Sequence, residues 1–469
     1  MTDRLSRKVR WRLSILWFLE WGITGAILTY LPLYFTENGI QFKELGVLMA
    51  VSAVGLWVAP FVVGQICDRW MASDKYLAIS HLVGGLLLLA IPFATKMYRE
   101  TGGHLTTLTV LLGLYAIAYL PTMPLASSLT FRHLPDPDTQ FGKVRIWGTV
   151  GWVLSGLTLS MWLGRADVAA WLVDQFPALQ PSIDAVSAMF AWIGPPSSSD
   201  CFRIAALLSF ALSSFCIFLP ATPPAREHEG KLAPIETLKM FRNRTFAMLI
   251  GVSFLLAIVV PFYSIAVPKL LQQMGFASRW VPAVMTIGQI SEFPALLLLP
   301  WFLKRFGLKT TFAFGMGAWL LRYVLFALQP STGLVLAGIG LHGVCHVFLI
   351  IVIQLYVDSQ CRQDLRASAQ NLFAFITMGI AMPVGFWVAG MLGNYVTVER
   401  TDAVTGQVTR QTDYGLFFAI PAAVIAVLLP AYWRWVRLDD VGKAEGGERK
   451  AGSAEGEAES GLGDVTDAG

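Results

Sequence analysis

Glu292 lies near the middle of an unbroken apolar stretch running from Trp280 to Phe302. A charged side chain at the bilayer centre costs roughly 2.5 to 3.5 kcal/mol on insertion scales, so such groups face cavities and carry function. Gln289 lies one turn earlier on the same helical face, and a carboxylate beside an amide can hold two hydroxyls or the edge of a heterocycle. A carboxyl group in low dielectric is also readily kept neutral, which would let it load a proton from one side and release it to the other. Arg145, Thr149 and Trp152 recur at i, i+4 and i+7, so a cation, a hydroxyl and an aromatic plane project from one side of another helix. That set suits a polyhydroxylated ligand with a flat ring. Gly148, Gly151 and Ser155 interleave with it and would equally suit close helix packing. Glu20, between Leu19 and Trp21, is a second intramembrane acid and a second candidate proton carrier. Arg322, beside Trp319 and Tyr323, reads as readily as a charge that locks helices together. His342 and His346 form an H-x3-H pair next to Cys345, but the Glu of a metalloprotease helix is missing and no third ligand is evident. They are expected to hydrogen-bond or protonate beside a cavity. No metal, cofactor or catalytic residue is expected.

The elements that must position these residues are membrane helices. Hydrophobic residues make up 55% of the 469-residue chain and charged residues 14%, with a mean hydropathy of +0.58. The fold class is all-α membrane protein. Twelve apolar stretches of about 18 to 25 residues, each able to cross ~30 Å of hydrocarbon, fall near 13–35, 43–66, 76–96, 105–127, 143–164, 201–221, 244–268, 279–303, 310–328, 332–357, 367–393 and 414–435. The first is too long for a cleaved signal and lacks a small-residue cleavage site. With both termini cytoplasmic, most of the 35 Lys and Arg fall in inner segments, which accounts for the net charge of +4 without nucleic acid.

The sixth and seventh spans are separated by a polar, Pro-containing linker, 222–243, between two six-helix halves, 1–221 and 244–438. That is the plan of transporters whose halves rock about a midplane site. An excursion at 165–200 mixes apolar residues with Pro177, Pro181, Pro195 and Pro196 and is expected to include a short amphipathic helix on the membrane surface. The tail, 439–469, is rich in Gly, Ala, Glu and Asp without periodicity, a composition expected to be disordered. Cys67, Cys201, Cys216, Cys345 and Cys361 show no paired spacing and read as small buried residues. No phosphate loop is present, which disfavours direct driving by ATP and leaves proton or ion coupling.

Several stretches carry a resemblance. Gly64, Asp68 and Arg69 have the spacing of the cytoplasmic G-x-x-x-D-R/K signature of the major facilitator superfamily. Together with Phe18-Leu-Glu-Trp21, Ala118-Tyr-Leu-Pro-Thr122, Arg145-Ile-Trp-Gly-Thr-Val-Gly151, Gln289-Ile-Ser-Glu292, Ala318-Trp-Leu-Leu-Arg322 and Arg366-Ala-Ser-Ala-Gln370, the chain resembles the nucleoside:proton symporter family of that superfamily over residues 10 to 435. The resemblance implies nucleoside uptake by alternating access, coupled to protons, in a bacterial inner membrane. It places Arg145, Thr149, Gln289 and Glu292 at the nucleoside, with Trp152 as an aromatic wall. The polar residues of the family's seventh span fall near Pro261 and Ser264, with Tyr263 between them. An acidic residue expected in the tenth span is replaced around His346 and Val347. Those changes keep a sugar or other nucleoside-like substrate open as an alternative. An intramembrane metal-dependent enzyme built on His342, His346 and Glu292 is a remote one.

Overall fold

A computed structural model describes residues 6–58, 66–67, 70–102, 105–223, 238–329, 331–361, 366–401 and 408–436. The Gly64, Asp68 and Arg69 motif, most of the 222–243 linker and the 439–469 tail lie outside the described residues. Among the described residues, ten helical runs are long and apolar enough to cross a membrane, from Arg7–Glu37 to Tyr414–Trp435. One of them, Ser278–Leu328, is 51 residues long and holds the eighth and ninth spans, separated at Gly307, whose φ of 74° only glycine adopts freely. The second span is built of shorter pieces, Phe42–Val51 and Val54–Val58. The architecture is that of an all-helical membrane protein.

Local sequence sets where several spans begin. Asn243 accepts hydrogen bonds from the backbone N–H groups of Thr245 (2.9 Å) and Phe246 (3.2 Å), starting the seventh span. Asp413 accepts from Leu416 N at 3.0 Å and starts the twelfth. The eighth span is kinked where the chemistry is: Ser291 keeps helical dihedrals and its N–H still donates to Ile287 O at 3.1 Å, while Pro294 brings no N–H to the next turn. The Ser291 hydroxyl donates to Gly288 O (2.6 Å) and accepts from Gly343 N (2.9 Å) of the tenth span. A Cβ on Gly343 would lie 2.1 Å from Ser291 O, so the eighth and tenth spans touch backbone to backbone beside Glu292.

The first and fifth spans meet in the same way. A Cβ on Gly151 would lie 2.0 Å from Phe18 O, and one on Gly25 would lie 2.5 Å from Trp152 O. The small residues interleaved with Arg145 and Thr149 are therefore a packing face, and that packing brings Trp21 against the Arg145 helix. The tenth and eleventh spans contain π-helical stretches, Val347–Ile351 and Phe375–Ala381, the first beginning immediately after His346.

Two features outside the spans add to the sequence reading. The 165–200 excursion, expected to include a short helix, contains two, Arg165–Gln175 and Gln180–Phe190. Before the twelfth span, Thr397–Thr401 pairs antiparallel with Val408–Thr412 as a hairpin that hydropathy did not signal.

Candidate functional site

Glu292 faces the two histidines of the tenth span. Its Oε1 lies 3.5 Å from His342 Nε2 and 3.7 Å from His346 Nδ1. These are ion-pair separations but too long for good hydrogen bonds, leaving room for a bridging hydroxyl or water. The imidazoles stack, with centroids 5.9 Å apart and planes at 13°. On its far side His342 meets Arg322, whose Nη1 is 3.2 Å from His342 Nδ1. A guanidinium only donates, so Nδ1 accepts, and the ring proton of a neutral His342 belongs on Nε2, directed at Glu292. Arg322 is 0% exposed, and its guanidinium lies 3.4 Å from the centroid of the Tyr263 ring. Tyr263 stacks on His342 at 5.6 Å and 18°. The order is thus Arg322, held by Tyr263, then His342, Glu292 and His346.

From the first six spans, Arg145 approaches this cluster. Its guanidinium lies 4.0 Å from the Trp21 ring centroid and 4.9 Å from that of Trp17, and it is within Coulombic reach of Glu292. Trp21 in turn packs on Trp152 at 5.7 Å and 40°. The expectation that Arg145, Thr149 and Trp152 present one common face holds for the helix but not for each side chain's environment. Arg145 folds onto the indoles of the first span, Trp152 is half-buried against Trp21, and Thr149 is half-buried. Buried polar atoms in and around the cluster that lack a hydrogen-bond partner include Trp21 Nε1, Trp152 Nε1 and Gln289 Oε1, together with His346 Nδ1 and two guanidinium nitrogens of Arg322. An unmet buried donor or acceptor costs about 1 to 3 kcal/mol, so a ligand offering hydroxyls and ring nitrogens would find ready partners here.

A cavity of 380 Å³, within the ~300 to 1,000 Å³ typical of small-molecule sites, is lined by Trp21, Tyr119, Trp152 and Phe202 on one side and Ser264 and Met382 on the other. Arg145, Gln289, Glu292 and the histidines do not line it. Trp21 and Trp152 are common to both, so the apolar cavity and the charged cluster share an aromatic wall. A larger recess of 1060 Å³ near Phe302, Phe314 and Trp433 is lined by no ionisable group.

Glu20 lies elsewhere. It is 0% exposed and 2.9 Å from His81 Nε2 of the third span, while Thr122 Oγ1 donates to its Oε1 at 2.5 Å. The carboxylate–imidazole contact is close but poorly aligned as a hydrogen bond. Sequence reasoning did not single out His81. An imidazole within an apolar helix was the available signal, and it had no neighbour at helical spacing to mark it. Arg322 was visible in the sequence, but its position behind His342 was not.

The chain matches the Nucleoside H+ symporter family over residues 7–195 and 186–437. It belongs to that family. YegT of Escherichia coli (strain K12) is 30% identical over 438 residues, covering 90% of this chain and 93% of its own. Nucleoside permease NupG of the same strain is 26% identical, covering 90% and 96%. The crystal structure of nucleoside transporter NupG superposes with a TM-score of 0.72 at 23% identity, over 92% of this chain and 100% of that one, so the fold is the major facilitator fold. This protein is therefore a multi-pass membrane transporter, not an enzyme, and couples nucleoside movement to protons.

Proposed function

We propose that this transporter takes up nucleosides across the bacterial inner membrane, with both termini cytoplasmic and the 1–221 and 244–438 halves rocking about the Arg145–Glu292 level. The observation that carries the reading is Glu292 set against His342 and His346 at 3.5 and 3.7 Å, with the unpartnered Gln289 oxygen one turn away and Arg145 and Trp152 packed on Trp21 from the fifth span. In this reading Gln289 and Glu292 hold ribose hydroxyls or a base edge, and Trp152 and Trp21 flank the ring. Thr149 adds a hydroxyl, and Arg145 completes the polar wall. Tyr263 and Arg322 act through His342, which they position. Glu292 carries the coupled proton, exchanging it with His346, whose Nδ1 is buried without a hydrogen-bond partner.

Two indoles beside a guanidinium offer flat faces against which a base can stack. Closure at one end also fits alternating access. Ala283 N donates to Ser160 Oγ at 2.9 Å, and Gly164 packs so tightly on Trp280 that a Cβ there would lie 2.7 Å from the indole. In the proposed orientation that end faces outward. The test is uptake into proteoliposomes under an imposed pH gradient, using labelled uridine with adenosine, xylose and lactose as competitors. Competition by adenosine but not by the sugars is expected. Competition by xylose equal to that by adenosine would overturn the nucleoside assignment.

A further inference from the structure

Glu20 and His81 form a second ionisable pair, distinct from the Glu292 cluster and closed off from water. Both side chains are 0% exposed, and they come from the first and third spans. The neighbouring groups are polar but uncharged. Thr122 Oγ1 donates to the carboxylate, Tyr119 OH donates to the Glu20 backbone carbonyl at 2.6 Å, and Ser209 of the sixth span donates to the His81 carbonyl at 2.8 Å. The titratable groups that face the pair are Tyr115 and Tyr119 of the fourth span and Cys216 beside the sixth. His81 Nδ1 is buried without a hydrogen-bond partner.

Proton counting follows from this isolation. With one shared proton the pair is neutral overall, either as carboxylate and imidazolium or as carboxylic acid and imidazole. A second proton would leave a net positive charge in an apolar interior, and loss of the shared proton a net negative one, both strongly disfavoured without water. The pair can therefore exchange its proton only when the surrounding helices admit water. It is also wired to the cavity. The Tyr119 hydroxyl that bonds the Glu20 carbonyl lies 2.6 Å from Thr24 Oγ1, and Tyr119 and Thr24 both line the 380 Å³ space.

We infer that Glu20 and His81 constitute a second proton-binding site, in the first six spans, linked to the occupancy of the cavity through Tyr119 and Thr24. The inference rests on proton-coupled nucleoside transport. When helix movement admits water, the proton enters at His81 Nδ1 and leaves from the Glu20 carboxyl, so no bond other than N–H and O–H changes.

Glu20→Gln and His81→Asn are compared with the parent in proteoliposomes. Uridine counterflow at equal pH is measured beside uptake under a pH gradient, with a pH-sensitive dye in the lumen reporting proton entry. Both variants are expected to retain counterflow within about twofold and to lose gradient-driven accumulation and uridine-dependent proton entry by about tenfold or more. Parent-like accumulation and proton entry in both variants would sink the inference, as would parallel loss of counterflow and accumulation, which would mark the pair as structural. A parent without uridine counterflow would count against the nucleoside reading instead. In that event pH-difference infrared spectra of the purified protein decide: a carboxylic-acid or imidazole band that is lost in Glu20→Gln and altered in His81→Asn supports the site, and unchanged spectra overturn it.

Discussion

The two intramembrane carboxylates of this transporter differ in every physical respect that matters. Glu292 is 16% exposed, its imidazole neighbours stand 3.5 and 3.7 Å away, and it lies beside a kink in its span. Glu20 is fully buried inside a continuous helix, with partners at 2.5 and 2.9 Å. A loosely held carboxylate beside unpartnered polar atoms has hydrogen-bonding capacity to spare for a ligand. One sealed from water, with Thr122 on one oxygen and His81 against the other, is out of a ligand's reach, and only its proton can change. In the proposed reading the difference separates a site for substrate from a site for protons alone.

The comparison breaks most visibly at Glu292. Replacing it by Gln should abolish accumulation of uridine against its gradient and weaken counterflow by roughly 100-fold, because an amide cannot carry the proton and loses the charge facing Arg145. Parent-like accumulation in Glu292→Gln would remove it from coupling. Arg145→Lys should come next, with labelled-uridine affinity down about 10-fold, since an ammonium cannot lie flat against Trp17 and Trp21 as a guanidinium does. Unchanged binding would mean that the indole stack is not part of the site.

Gly343→Ala sharpens the Glu292 side without touching its charge. The added methyl meets Ser291 O, and overpacking of this kind costs about 1 to 3 kcal/mol, so a lower unfolding temperature with weaker uridine binding is expected. The smallest effect belongs to Asp167→Asn. Asp167 pairs with Arg279 between the excursion and the start of the eighth span, but both side chains are nearly half exposed, and solvent screening limits such pairs to about 0 to 1 kcal/mol. Thermal unfolding should hardly move, and a large drop would assign the pair a structural weight its exposure does not suggest.

The membrane class and the span positions were legible because hydropathy over some twenty residues is a local property. The second span was less so: its helix is divided at Ser52, and each piece is short. Glu292, Arg145 and Glu20 stood out because a formal charge in an apolar stretch needs no partner to be noticed. His81 did not, since a lone imidazole carries no formal charge at neutral pH and its partner lies on another helix. The same holds for Arg322, whose meaning depends on a contact with His342 that no spacing encodes.

By itself the sequence determined the solvent this chain lives in, its family, and which ionisable groups are buried in hydrocarbon, because hydropathy and short motifs are read along the chain. Tertiary structure decided which of those groups share a proton or a face. Helix packing at Gly151, Gly25 and Gly343 sets the distances between spans, and hydrogen bonding and ion pairing fall off over a few ångströms. The crossing at Gly151 and Gly25 places Arg145 on the indoles of the first span, and only the packing of the other spans could place His81 on Glu20 and Arg322 behind His342.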